Sequence, residues 1–93
     1  MLDLIAATVA KLDLGKPTAA KRGRNPAFPY VPVIQYATRT HQVPALALKT
    51  REEAVEAAAA AIEYQRKVLA ARLAEPRHRS LRRQHGLPEE VAA

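Results

Sequence analysis

The side chains best equipped for chemistry in this chain are His41, His78, His85, Ser80 and the arginines Arg77, Arg79, Arg82 and Arg83. His78 and His85 lie seven residues apart, which on a helix is nearly two turns, or about 10 Å, too far to share one metal ion. The carboxylates close to them in sequence are Glu75, Glu89 and Glu90, and no HExxH or similarly tight ligand spacing occurs. No metal and no cofactor is therefore assigned. Catalysis by a nucleophile or an acid-base pair needs a nucleophile, a base and an orienting group that converge. Ser80 stands among arginines, and Thr38 and Thr40 read as strand residues, so the expectation is that the protein is not an enzyme. The chain has no cysteine, which removes disulfides, thiolate nucleophiles and Cys-based zinc sites.

What remains is charge. The formal net charge is +6, and its excess is uneven: Lys16, Lys21, Arg22 and Arg24 cluster early, and Arg77, Arg79, Arg82 and Arg83 cluster late. Such patches raise encounter rates with nucleic acid, anionic membranes or acidic protein surfaces without choosing among them. The late cluster fits phosphate contacts by a short helix. Steps of about 100° per residue, however, distribute those arginines around the helix, and no helix-turn-helix, RNP-like or zinc-finger signature accompanies them.

The elements that must position these groups follow from periodicity. Leu2, Ile5, Val9 and Leu12 form an amphipathic helical stripe over residues 1–14, with Gly15 at its end. Residues 15–29 mix Gly, Pro and basic side chains and read as a linker. Residues 30–48 carry β-branched and aromatic residues on both sides of the polar Arg39 to Gln42 stretch, which reads as a β-hairpin turning there. Pro32 and Pro44 must then sit at strand starts or on outward edges, because neither donates to a ladder.

Thr50 with Glu53 three residues later matches a capping box, and Glu52 and Glu53 suit the positive end of a helix dipole. A long helix from Thr50 should reach Glu75, where Pro76 breaks or kinks it. Val55, Ile62 and Leu69 repeat every seven residues and, with Ala58, Ala59 and Leu73, form a small-sided apolar stripe. A short helix from Arg77 to His85 should follow, ended by Gly86 and Leu87, with Pro88 blocking resumption and residues 89–93 frayed. The expected fold class is α+β: an N-terminal amphipathic helix, a β-hairpin, a long helix kinked at a proline and a short C-terminal helix. Residues 30–88 would form the hairpin-plus-helix domain.

The core is thin. Of the 45 hydrophobic residues 20 are alanine, and Leu, Ile, Val, Met and Phe together number 22. Burial must offset chain entropy, so the stripe Val55, Ile62, Leu69 and Leu73 is expected to anchor either the core or a contact with a second copy or another protein. The competing arrangement is an N-terminal helix folded back over that stripe. Arg66, Arg72, Arg77, Arg79, Arg82 and Arg83 would supply charge to an acidic partner or to phosphates. No run approaches the ~20 apolar residues that span a bilayer, and no positively charged region precedes the apolar start as a secretory signal would require.

The segment from Val43 to Pro88, with its TREEAVEAAAAAIEYQRKVLAARLAEP helix and RHRSLRRQHGLP ending, resembles small accessory proteins of unknown function from bacteriophages of actinobacteria. Twenty Ala and ten Arg against five Lys also fit coding in a GC-rich genome. The resemblance implies a protein in the cytoplasm of an infected bacterium that binds and inhibits a host protein, a possible host-takeover factor. A member of that broad group, similar in size, targets the coiled-coil polar-growth protein DivIVA; no functional residue is carried over from it. A small basic DNA- or RNA-binding protein is the second reading. A minor virion component is the third.

Overall fold

A computed structural model of the chain describes residues 2–89. The architecture is α+β, with elements in the order α1 (Leu2–Lys11), β1 (Lys16–Ala20), β2 (Val31–Gln35), β3 (Thr40–Gln42), α2 (Arg51–Ala74) and α3 (Arg79–Gln84). They fall into two compact units. Of the described residues, 14–64 form a sheet unit; 2–13 and 65–89 form a helical unit. The expected frayed tail lies, from residue 90 onward, outside the described residues.

The sheet unit holds three antiparallel strands in the order β1-β2-β3. The first strand is a correction, since Lys16–Ala20 lies in the segment expected to be a linker. It pairs along its whole length with β2, from Lys16 opposite Gln35 to Ala20 opposite Val31. The hairpin also turns earlier than its polar stretch implied. The Tyr36 N–H donates to the Arg39 carbonyl (2.8 Å), so Thr38, read as a strand residue, falls inside the turn, while Thr40, read the same way, opens the third strand with His41 and Gln42. Val43 to Leu48 contributes the Val43 N–H bond to Pro32 and a bridge between Leu48 and Tyr30. Burial explains the assignment: Val31 to Ile34 are all buried, as a central strand covered on both faces requires, while β3 is exposed throughout and polar, as suits an edge.

Pro32 sits at the second position of the central strand. Pro17 faces Ile34, and Ala19 faces Pro32. Both prolines thus fall on positions of one parity, where β1 and β2 exchange no N–H bonds. Pro32 turns instead toward β3, where its carbonyl accepts from the Val43 N–H (3.0 Å). Pro44 lies outside the strands. On the outer edge of β1 the Arg51 guanidinium donates to the Ala19 carbonyl (3.4 Å). With the donorless Pro17, this leaves little to template a further strand.

The loop after β1 is folded. Gly23 donates to the Pro29 carbonyl, Phe28 to the Asn25 carbonyl (both 2.9 Å), and the Ala27 N–H to Asn25 Oδ1 (2.9 Å). A Cβ on Gly23 would lie 1.9 Å from the Phe28 carbonyl oxygen, so backbone must move. Gly23→Ala is expected to cost about 1–3 kcal/mol, read as a lower urea midpoint. An unchanged midpoint would show that the loop is not held this way.

Helix α2 begins as its sequence dictates, with the Glu53 N–H donating to Thr50 Oγ1 (3.1 Å). Residues 51–64 belong to the sheet unit, where Ala54, Ala58 and Ile62 are buried. Residues 65–74 belong to the helical unit. There Leu73 clusters with Ile5 and Val9 of α1 and with Leu87, while Leu69, Ala70, Ala74 and Leu81 pack around them. Each such large side chain contributes about 1.5–3 kcal/mol on full burial. The fold-back arrangement holds here: Leu69 and Leu73 belong to the core of this chain, not to an overhang. Of the α1 stripe Leu2 stays 70% exposed and Leu12 is half-buried.

Pro76 breaks α2 outright, and α3 follows a single turn. Gly86 adopts φ 71°. The Leu87 N–H donates to the Arg82 carbonyl (2.9 Å) and the Gly86 N–H to the Arg83 carbonyl (3.0 Å). This is the pair of bonds of a Schellman cap, and Leu87 completes it by entering the core.

Candidate cationic surface

The arginines expected to meet a partner divide into two groups. Arg82 is fully buried. Its Nε donates to the carbonyls of Pro88 (3.2 Å) and Glu89 (2.9 Å), and Nη1 to Leu73 (3.2 Å). Nη2 donates to Pro76 (3.1 Å), and further bonds reach the carbonyls of Glu75 and Glu89. The last carbonyls of a helix have no intrahelical donor, and the helix dipole makes that end negative. One guanidinium satisfies the end of α2 and pins residues 88–89 beside it. Arg82 is thus withdrawn from any phosphate or partner.

Arg66 is withdrawn in the same way. Its half-buried Nη1 donates to the carbonyls of Val9 (2.6 Å) and Leu12 (3.2 Å), closing the end of α1. Val55 is half-buried, and Ile62 and Leu73 are buried. Of the two roles open to this stripe, core or contact, these residues therefore serve mainly as core.

Arg72, Arg77, Arg79 and Arg83 stay exposed. Arg72 and Arg77 line an open depression of about 410 Å³ together with His78, Ser80, Leu81 and Gln84. Pro76 makes this possible, because the turn it forces sets Arg77 and α3 beside the last turn of α2. Glu75 accepts from Arg77 Nε (2.6 Å) and lies 3.3 Å from His78 Nε2. Arg83 Nε lies 2.6 Å from Glu89 Oε1. Among the described residues no ion pair engages Arg72, and no hydrogen bond joins Ser80 to His78. His41 is exposed on β3 and His85 is the half-buried cap of α3. No group of three His, Cys, Asp or Glu able to hold a metal ion occurs among the described residues. No helix among them is long and apolar enough to cross a membrane.

The surface of the sheet unit was only half legible. Its early basic cluster is plain in the sequence, but the Phe28 ring beneath Lys49 (5.8 Å from Nζ to the centroid) and the Tyr36 ring beneath Arg39 (4.9 Å) are not. The available signal was the stretch between Asp13 and Glu52, which contains no carboxylate. Comparison of the chain with protein-family models, with curated proteins and with solved structures finds no match in any of the three.

Proposed function

We propose that this chain is a non-enzymatic accessory protein of phage type that binds and inhibits a host protein, and that the exposed arginines of its helical unit are the contact. The observation that carries this reading is the depression itself. Two exposed guanidiniums and an amide surround a partly buried leucine, a combination that offers an apolar anchor point inside a charged rim. Arg is the cation that interfaces favour, because its planar fork grips carboxylates in two places at modest desolvation cost. Arg77 and Arg83 already hold carboxylates of their own chain, so an acidic side chain is the chemistry they engage.

Phosphate is the weaker fit at this surface. Arg82 is withdrawn, and Arg77 and Arg83 are already engaged by Glu75 and Glu89, so few cations are left to hold phosphates. Neutralising about two phosphates gives a salt slope near −1.8 and little affinity at cellular salt. The phage assignment and the inhibitory role rest on the resemblance of residues 43–88.

The test is recovery of a partner from host lysate by the wild-type chain and by a folded Arg72→Glu/Arg77→Glu variant. The expected result is one acidic protein, bound at least about tenfold less tightly by the variant. Equal recovery by both forms, or no protein above background from the folded wild type, would remove the proposal.

A further inference from the structure

We infer that the sheet unit carries a second, separate site, and that its ligand is single-stranded nucleic acid. Residues 14–51 contain seven Lys and Arg and no Asp or Glu, and every one of the seven is exposed. On this unit the carboxylates stand on α2, with Glu52, Glu53 and Glu56 exposed in its first two turns. The strands and loops therefore present positive charge without internal competition, unlike the arginines of α3.

Charge alone would not single out a ligand; the aromatic placement does. The Gly23 to Pro29 bond and the Asn25 turn hold Phe28 at the surface, 37% exposed, in the loop that also carries Lys21, Arg22 and Arg24. Lys49 Nζ lies over its ring. Phe28, Leu46 and Ala47, with Arg24 and Asn25, line a depression of about 390 Å³, and Leu46 is 88% exposed. A flat apolar platform rimmed by cations is what an unstacked base and its flanking phosphates require.

At the other end of β1 the aromatic ring is half-buried but again lies beneath a cation. Lys16 pairs with Gln35, next to Tyr36, whose ring lies beneath Arg39. The two ends of the five-residue β1 lie four rises of about 3.4 Å apart, about 14 Å, a distance a short oligonucleotide covers. A duplex keeps its bases stacked and cannot use the platforms, and an acidic peptide would engage the cations while leaving Phe28 and Leu46 unused. This inference does not depend on the helical-unit proposal.

The test is fluorescence anisotropy of the full chain with an oligothymidylate of about 12 nucleotides at ~50 mM salt. Binding is expected, with a log-log salt slope of about −3 for roughly four neutralised phosphates. Phe28→Ala should weaken it at least about fivefold. Leu46→Gln, at a position too exposed to affect folding, should weaken it in the same direction. The Arg72→Glu/Arg77→Glu variant should bind as the wild type does, which separates failure of this site from failure of the other. Absence of binding would overturn the inference. So would equal affinity for duplex or for polyglutamate, or indifference to both Phe28→Ala and Leu46→Gln.

Discussion

Replacing Arg82 by methionine is expected to remove about 3–5 kcal/mol of folding stability, because the carbonyls of Leu73, Glu75, Pro76, Pro88 and Glu89 lose their donor at once. The whole stability of a small domain is about 5–15 kcal/mol, so the variant should sit near the edge of folding. Methionine keeps much of the aliphatic volume, which assigns the loss to hydrogen bonding rather than to a cavity. Lysine restores the charge but offers a compact ammonium instead of a five-donor fork, and should recover only part of it. Arg79→Met and Arg83→Met, on the same short helix but exposed, should stay within about 0.5 kcal/mol of wild type. Urea unfolding of the four variants measures this. If Arg82→Met fell with its two neighbours, the guanidinium would not be the clamp described here.

The second large effect is expected at Leu73. It is fully buried, and its neighbours Ile5 and Val9 of α1 and Leu87 after α3 arrive from two other segments, so little can collapse into the space it leaves. Leu73→Ala should therefore cost about 3 kcal/mol or somewhat more. Leu2→Ala, on α1 with Ile5 and Val9 but 70% exposed, should change little. The pair also distinguishes core from interface. A core residue lowers the unfolding midpoint independently of protein concentration, whereas an interface residue would lower association and make the midpoint concentration-dependent. A concentration-dependent midpoint for Leu73→Ala, with unaltered monomer stability, would return the α2 stripe to the role of a docking surface.

Several local features were legible because they depend on neighbours in sequence. Thr50 and Glu53 mark the start of α2, Pro76 ends it, and Gly86 with Leu87 closes α3; each acts on backbone groups no more than a few residues away. Strand pairing is different. The segment KPTAA has little to recommend it as a strand, since only Thr18 is β-branched. It becomes one because the buried run of β2 needs a neighbour on each side, a demand no inspection of residues 16–20 alone reveals. The polar edge strand β3, in which only Thr40 reads locally as a strand residue, depends on β2 for the same reason.

The candidate surfaces divide along that line too. By itself the sequence determined the composition of charge, the absence of thiol chemistry and the positions of the helix-ending signals. Arg79, Arg82 and Arg83 are alike in sequence, and nothing local says which of them faces solvent. Only the tertiary structure decided that Arg82 would meet the open end of α2, where unpaired carbonyls and the negative end of a helix dipole make burial of a cation favourable. A helix end generates a demand for donors that can be met from any segment the fold brings alongside, so the answer resides in three-dimensional proximity and not in the order of residues.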